Sequence, residues 1–559
     1  TSDFKLGKCQ PEWESTHDCS AQTKRIVFFN LILPPIDKLC SRLKMTEQTK
    51  GCSPHIADPA AIQLSLLQVH PRDNVLVVLQ PLASGEPLIE PWQQVQAKED
   101  IQPGHKVALK LIKKGEAVIK YGYAIGVAQD DIPSGSWVHS HNLKTLLSDQ
   151  IEYQYHGCTA DDLAFPAELP THFMGYRRAN GRVGTRNELW ILNTVGCVNR
   201  AAMKIAEKAN QQFAGLTDGV FAYTHPFGCS QLGDDLNHTR AVLAGLMQNP
   251  NAGAVLVLGL GCENNQLAAL LKSCPELDQS RLRSFNAQQV EDELEQGLEA
   301  AAELIQLMQQ DKRTACPVSD LVVGMKCGGS DGLSGLTANP LVGRIADLVC
   351  AAGGKVVLTE TPEMFGAEQV LMSRAVNETV FSDIVTLVND FKQYFIDNKQ
   401  PVYENPSPGN KAGGLTTLEE KSLGAIQKGG SAKVTQVIPY GALVQQQGLT
   451  LLQGPGNDAV SSTALAASGA TMLLFTTGRG TPLGFPVPTV KISSNSDLAK
   501  RKPQWIDFDA GALLQQGQNA QDFSYQFFRH LIDIASGKQT QNELSDNKEI
   551  AIWKNGVTL

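Results

Sequence analysis

From Asn187 onward the sequence keeps one rhythm: a short apolar run, a glycine-rich turn, then a stretch of helical character. ELWILNTVGC leads to AAMKIAEKANQQF, GVFAYTHPFGC leads to TRAVLAGLMQ, and AGAVLVLGLGCENN follows. Apolar runs that do not alternate suit strands buried on both faces, and the helical stretches are long enough to serve as crossovers. The pattern predicts parallel βα units, whose ligand sites lie beyond the carboxyl ends of the strands. EDELEQGLEAAAELIQLMQQD (291–311) reads as an amphipathic helix that closes this unit. A second α/β unit opens at DLVVGMKCGG and continues through LVCAAGGKVVLTETPE, KVTQVIPYG, ATMLLFTTGRGTPLG and PTVKISSN.

Ahead of these units, residues 62–142 alternate short apolar runs with turn signals (LSLLQVH, NVLVVLQP, GHKVALKLI, AVIKYGYAIGVA, IPSGSWVHSHN) and predict a small all-β module. The expected divisions are an extension over 1–60, the β module over 61–147, a linker over 148–185, a middle α/β domain over 186–314 and a C-terminal α/β domain over 315–559. Residues 1–60 lack periodicity and are expected to be disordered; with Thr1 first and the earliest methionine at Met45, residues 1–44 read as a tag or an upstream start. RIVFFNLILPP (25–35) resembles the apolar part of a signal peptide, but its prolines and the missing small-residue cleavage site oppose export, so a cytoplasmic location is expected.

Composition excludes several classes. A net charge of −9 over 559 residues offers no basic face for nucleic acid or an anionic membrane. The longest apolar runs, such as VLVLGLG, fall far short of the ~20 residues of a membrane span. Twelve cysteines are too sparse for a disulfide scaffold, which leaves reduced thiols, some available as ligands.

The turns carry the chemistry. Cys197, Cys229, Cys262 and Cys327 each follow an apolar run or sit in a glycine-rich turn. Three of them, in THPFGCSQLGDD, LGLGCENNQ and GMKCGGSDG, are flanked by glycine, which lets backbone approach a ligand closely. A single such cysteine suits a small core residue equally well, and the spacing is not that of a structural zinc site. Glu263 adjoins Cys262 and Asp331 lies near Cys327, a mixed donor set that suits iron or manganese. His225, four residues before Cys229, is a candidate base, but no nucleophilic constellation follows it. NPSPGNKAGG (405–414) and TTGRGTPLG (476–484) each set one cation, Lys411 or Arg479, among glycines and hydroxyls, an arrangement that can hold a carboxylate or phosphate. His139 and His141 in WVHSHNLKT would face one side of an extended chain as an acid–base or ligand pair. No nucleotide-binding glycine motif stands in a βαβ context.

Taken together, these phrases resemble the altronate/galactarate dehydratase family. The resemblance rests on GHKVAL, VIKYG, VHSHNLKT, YRRANGRVGTRNELWILNTVGCVN, GCSQLGDD, NAGAVLVLGLGCENNQ, CGGSDGLSGLTANP, TETPEMFGAEQ, VNDFKQYF, YENPSPGNKAGGLTTLEEKSLG, GPGNDAV, FTTGRGTP and WIDFDAG, from about residue 62 to Leu559. VHSHN, GCSQLGDD and LGCENNQ resemble the altronate branch. The resemblance implies a multidomain α/β protein: a β-clip, SAF-type N-terminal domain, a middle domain and a C-terminal Rossmann-like domain with a mostly parallel sheet. It also implies iron-dependent dehydration of a sugar acid, D-altronate to 2-keto-3-deoxy-D-gluconate, in a homodimer or larger homo-oligomer. A galactarate dehydratase and a non-catalytic sugar-acid-binding protein are the alternatives.

Under that reading the expected metal ligands are Cys229, Cys262 and Cys327 with Glu263, Asp331 or Glu360 as oxygen donors. Fe2+ is the expected ion, with Mn2+ possible and a [4Fe–4S] cluster on the three thiolates as the alternative. Lys411 and Arg479 are expected to hold the substrate carboxylate, with Ser330, Asn410, Gly328 and Gly329 lining the site, and His225, His139, His141 or Lys411 to move protons.

Overall fold

The structure is a computed structural model and describes residues 65–88, 91–147, 153–515, 518–556 and 558–559. The expected extension over 1–60 lies outside the described residues.

Short strands joined by tight turns build the β module. Leu66–Leu67, Val75–Val78, Lys106–Ala108 and Trp137–Val138 form a four-stranded antiparallel sheet, and Ala117–Lys120, Tyr123–Ala128 and Leu143–Lys144 form a three-stranded one. Nothing in either sheet exceeds six residues, as the alternating sequence with its frequent turn signals requires.

The segment expected to be a linker is partly ordered sheet. His172–Arg177 pairs antiparallel with Val183–Gly184 on one side and with Thr314–Pro317 on the other. Its pattern was obscured because an apolar residue faces out and a glycine faces in: Phe173 and Gly175 are buried while His172, Met174 and Arg177 are exposed. This small sheet brackets the middle domain at both of its ends.

The middle domain is the expected parallel unit. Its sheet runs Val220–Tyr223, Glu188–Asn193, Ala252–Gly259, Leu282–Asn286, all parallel. Because strand side chains alternate, Leu189 and Ile191 bury against Ile205, Leu304 and Ile305 of the helices Asn199–Gln212 and Glu293–Met308. Trp190 and Leu192 face the opposite side and join the core shared with the rest of the molecule through the helix Gly233–Met247.

Seven parallel strands form the C-terminal sheet, in the order Val434–Ile438, Gly448–Leu452, Lys355–Leu358, Val322–Cys327, Met472–Thr477, Thr489–Ser493, Phe508–Asp509. After Val322–Cys327 the chain builds outward on one side, and only at Met472–Thr477 does it return to the other. The crevice between these two strands is the point where the order reverses, the place where doubly wound sheets bind ligands. Among the described residues no helix is long and apolar enough to cross a membrane.

The β module docks on the C-terminal domain through a buried charge triad and a glycine junction. Lys106 Nζ lies 2.9 Å and Lys120 Nζ 2.8 Å from the Glu420 carboxylate, with all three side chains fully buried. Burial pushes the Glu420 carboxyl up, but the two ammoniums overcome it and hold the group well below the usual carboxylate range. Beside the triad, a Cβ on Gly332 or on Gly414 would collide with the Gly104 carbonyl, so backbone meets backbone there.

Glu420→Ala leaves two buried ammoniums without their carboxylate, a defect that typically costs about 3–5 kcal/mol. Urea unfolding is expected to begin at lower denaturant, with early proteolytic release of the β module. An unchanged urea profile and unchanged protease resistance would show that the triad does not hold the domains together.

Candidate active site

At the crevice, Cys327 ends the central strand, and the next strand leads into the turn that carries Glu360 and Glu363. Among the described residues, Cys327, Glu360 and Glu363 are the one group of three or more His, Cys, Asp or Glu whose ligand atoms all lie within 4.8 Å of one another. Glu360 has φ +72°, a left-handed conformation that costs a non-glycine residue of order 1–3 kcal/mol. Its carboxylate is thereby turned back onto the strand end, where it accepts from the Cys327 backbone N–H at 3.1 Å. The Cys327 thiol donates to Glu363 Oε2 at 3.1 Å.

Three buried lysines surround this group. Lys326, the residue before Cys327, pairs with Glu360 and reaches Asp458 at 3.0 Å. Lys421 lies 2.8 Å from Glu363, and Lys428 3.6 Å from Glu360. Asp458 is the open member, its side chain 38% exposed, and it begins the helix Asp458–Ala467.

The cluster sets protonation states apart. Burial, reinforced by Glu360 and Glu363, pushes the Cys327 thiol up to about 12, so it stays protonated at neutral pH. Burial also pushes Glu363 up, but Lys421, Lys428 and Lys326 outweigh it and hold the carboxyl down to about 2. Burial and the neighbouring Glu363 charge raise Glu360, against the pull of Lys326 and Lys428. Lys326 is held well above the ordinary lysine value by Glu360 and Asp458, against its own burial, and remains an ammonium. Two adjacent carboxylates driven in opposite directions is the arrangement from which acid–base chemistry is built.

The three expected loops converge around the cluster. Gly478 and Arg479 donate backbone N–H groups to the Gly329 carbonyl at 3.1 and 3.0 Å, joining TTGRG to CGGSD. Gly332 N–H donates to Gly413 O at 2.7 Å, joining CGGSD to the segment that follows NPSPGNK. Gly328 is packed so closely that a Cβ there would lie 2.5 Å from Asp458 Oδ2 and 2.6 Å from Phe475 Cζ. Arg479 is exposed, Lys411 half-buried and Ser330 buried.

Several of the expected residues are held by hydrogen bonds within and between these turns. Asn410 clamps two turns together: its Nδ2 donates to Ser330 O at 2.7 Å, while its Oδ1 accepts from Ser407 and Lys421. The Asp331 carboxylate accepts from Leu333, Ser334, Ser494 and Asn495, which ties it to its own turn and to the strand end beside it. Glu263 is likewise occupied, by Thr194 and by the Leu260 and Gly261 backbone. His225 is buried, with Nδ1 accepting from Phe227 N–H and Nε2 bonded to Asn193 O, so both ring nitrogens brace its turn. Cys229 and Cys262 belong to the middle-domain sheet and do not join Cys327 in a coordination group.

His139 and His141 do not sit on an extended chain. The strand ends at Val138, and a turn follows in which Asn142 N–H bonds His139 O. Both imidazoles pack on Trp137, at 4.8 and 5.2 Å between centroids, and His139 Nε2 lies 3.0 Å from Lys411 O. This places the β module against the NPSPGNK turn. A third imidazole, His105, joins them 5.3 Å from His139, and burial lowers it to about 4, so it is neutral at physiological pH.

Sequence reading missed Lys326, Glu363, Lys421, Lys428, Asp458 and His105. A lysine inside the apolar run VVGMKC was a signal, since a buried lysine demands a carboxylate. TETPE held both glutamates but only Glu360 was singled out.

Three family models match the chain: an altronate/galactarate dehydratase SAF domain at residues 64–146, a D-galactarate dehydratase/altronate hydrolase second domain at 175–309, and a D-galactarate/altronate dehydratase C-terminal domain at 318–558. The chain is 52% identical to an altronate dehydratase of Escherichia coli (strain K12) over 498 residues, covering 89% of this chain and 100% of the relative. It is 49% identical to an altronate dehydratase of Bacillus subtilis (strain 168) over 497 residues, again 89% and 100%. A galactarate dehydratase (L-threo-forming) of Escherichia coli (strain K12) is 35% identical over 490 residues, 85% and 93%.

The burial of Cys327 predicts its reactivity. In native, metal-free protein at mildly alkaline pH, iodoacetamide is expected to alkylate the exposed Cys229 and Cys262 and to reach Cys327 only after unfolding. Mass spectrometry of the labelled peptides checks this; labelling of native Cys327 as fast as Cys229 would contradict the placement.

Proposed function

The chain belongs to the altronate/galactarate dehydratase family, and on that premise we propose that it removes water from D-altronate to give 2-keto-3-deoxy-D-gluconate. The greater identity to the two altronate dehydratases than to the galactarate dehydratase supports altronate as the substrate. The single observation that carries the chemistry is the buried Glu360–Glu363 pair beside Lys326 at the sheet crevice.

The reaction takes a proton from the carbon next to a carboxylate and expels a hydroxide from the following carbon. The carbanion is the difficult species, so the site must offer a base and fixed positive charge. In this reading Arg479 and Lys411 receive the substrate carboxylate beside the Gly329 turn. Glu360, made more basic by burial and by Glu363, takes the proton. Lys326, held as an ammonium between Glu360 and Asp458, steadies the negative charge that develops. Collapse of the enol then yields the 2-keto acid. Trp137 and its three imidazoles wall the site from the β-module side and fix the Lys411 backbone.

The resemblance implies Fe2+, with Mn2+ as a substitute, and the donor set around Cys327 fits such an ion poorly. Glu360, Glu363 and Asp458 supply three negative charges, and Lys326, Lys421 and Lys428 supply three positive ones on the same oxygens. A divalent cation would be left uncompensated beside three ammoniums. No step is therefore assigned to a metal in this cluster.

A homodimer or larger assembly, acting in the cytoplasm, completes the reading. Leu232 and Leu559, both exposed, support a contact surface, and the Leu559 N–H bond to Ser230 O brings them to one region.

Assay of 2-keto-3-deoxy acid formation on a panel of aldonates and aldarates, with and without added Fe2+, tests the reading. D-Altronate is expected to give kcat/KM at least tenfold above galactarate. A preference for galactarate, or binding of sugar acids without product, would overturn it in favour of one of the two alternatives.

A further inference from the structure

The arginine-rich stretch YRRANGRVGTR (176–186) takes no part in the dehydration chemistry, although it borders a cleft of about 820 Å³. Its hairpin supplies Arg178, Asn180 and Arg182 to the wall; Arg281 comes from the middle domain and Gln445 from the C-terminal domain. A second cleft, lined by Lys355, adjoins the first at Gln445, which belongs to both. Both lie at the amino ends of strands. The first touches residues 252–255, where Ala252–Gly259 begins, and the second touches Lys355, where Lys355–Leu358 begins. Cys327 and Glu360 stand at the opposite, carboxyl ends, so a ligand in these clefts does not meet the reacting atoms.

The protein leaves two charges open here. Asp311 takes both Arg178, at 3.1 Å, and Arg281, at 2.7 Å, while Asp320 takes Arg177 at 2.7 Å. Asp278 is bonded to Ser280. Arg182 and Lys355 are half-buried, and neither is in ion-pair contact with a carboxylate among the described residues. The Arg182 guanidinium donates to Gln248 O at 3.0 Å and lies over Gly469, where a Cβ would come within 3.2 Å of it. Burial lowers both cations, and the charge of Arg182 lowers Lys355 further, so the two are near enough to repel. The acids that pull on them act from further away: exposed Glu276 on Arg182, and Asp320, already paired with Arg177, on Lys355. Neighbouring half-buried cations without a shared counter-ion favour a bound anion.

We propose that Arg182 and Lys355 form a binding site for a small phosphate monoester, of the sugar phosphate class, separate from the site of dehydration. One phosphate dianion neutralises both cations, whereas a carboxylate carries half the charge needed. A guanidinium also meets two phosphate oxygens with parallel N–H bonds. The exposed amides of Asn180 and Gln445 at the cleft are placed for the hydroxyls of the esterified group. The volume lies within the usual range for small-molecule sites, roughly 300–1,000 Å³. A bound ester joins the hairpin to the C-terminal sheet, so occupancy stabilises the fold. The assignment does not depend on altronate being the substrate.

Isothermal titration calorimetry and thermal melting of the full chain, with glucose 6-phosphate, inorganic phosphate and succinate as probes, test the assignment. Glucose 6-phosphate is expected to bind with one site per chain and to raise the melting temperature. Arg182→Gln and Lys355→Gln should each weaken it by about tenfold or more while keeping the wild-type circular dichroism. Arg479→Gln should leave it unchanged. Lys355→Gln makes the test without disturbing the Arg182 bond to Gln248. Inorganic phosphate is expected to bind about tenfold more weakly than the ester, since it offers Asn180 and Gln445 no sugar hydroxyl. No heat and no melting shift with glucose 6-phosphate would overturn the proposal, as would affinity unchanged in both Arg182→Gln and Lys355→Gln. Binding lost in Arg479→Gln would place the ester in the substrate site and overturn it equally. Succinate bound as tightly as the ester would overturn the choice of phosphate.

Discussion

Charge buried at the exit of the central strand has to be neutralised on the spot, and much of the molecule is arranged to do so. Glu360 and Glu363 bring two carboxylates into a place that excludes water, at a cost of several kcal/mol each unless ammoniums meet them. Lys326 comes from the strand itself, and Lys421 and Lys428 from the helix and turn beyond NPSPGNK. That helix also explains the β module. Glu420 and Lys421 are consecutive, so they point to different sides: Glu420 to Lys106 and Lys120 of the β module, Lys421 to Glu363 of the crevice. One helix therefore ties domain docking to the state of the buried cluster.

The two parallel sheets differ in what stands at their carboxyl ends. At the C-terminal sheet the side chains are buried, paired and set apart in protonation, which suits moving a proton from carbon. At the middle sheet the thiols Cys197, Cys229 and Cys262 are exposed. Beside the lysine-bound carboxylates, burial pushes the Cys327 thiol up to about 12.

The α/β architecture was legible because buried parallel strands print continuous apolar runs, as in AGAVLVLG and VVGMKC. The strand His172–Arg177 was not, because its alternation mixes Met174 outward with Gly175 inward. Site turns could be found from glycine and cation patterns, yet which turns meet depends on strand order, and order is not written locally. Hence Cys229 and Cys262 were grouped with Cys327, although their strands belong to a different sheet. The hydrogen bonding of polar turn residues was not legible either: Asp331, Glu263 and Asn410 bond to the turns themselves. The lysines were under-read: Lys326 stands out within the apolar run VVGMKC, but its partner Glu360 lies 34 residues further on, outside any local window.

The central claim is that Glu360 removes the proton from the sugar acid. Glu360→Gln preserves the size of the side chain and its contact with the Cys327 backbone while removing the base. Steady-state turnover of D-altronate by this variant, with substrate affinity measured separately by calorimetry, tests the claim most directly. The account predicts a kcat lower by about 10²–10⁴ with affinity changed little; turnover within a few-fold of wild type would contradict it.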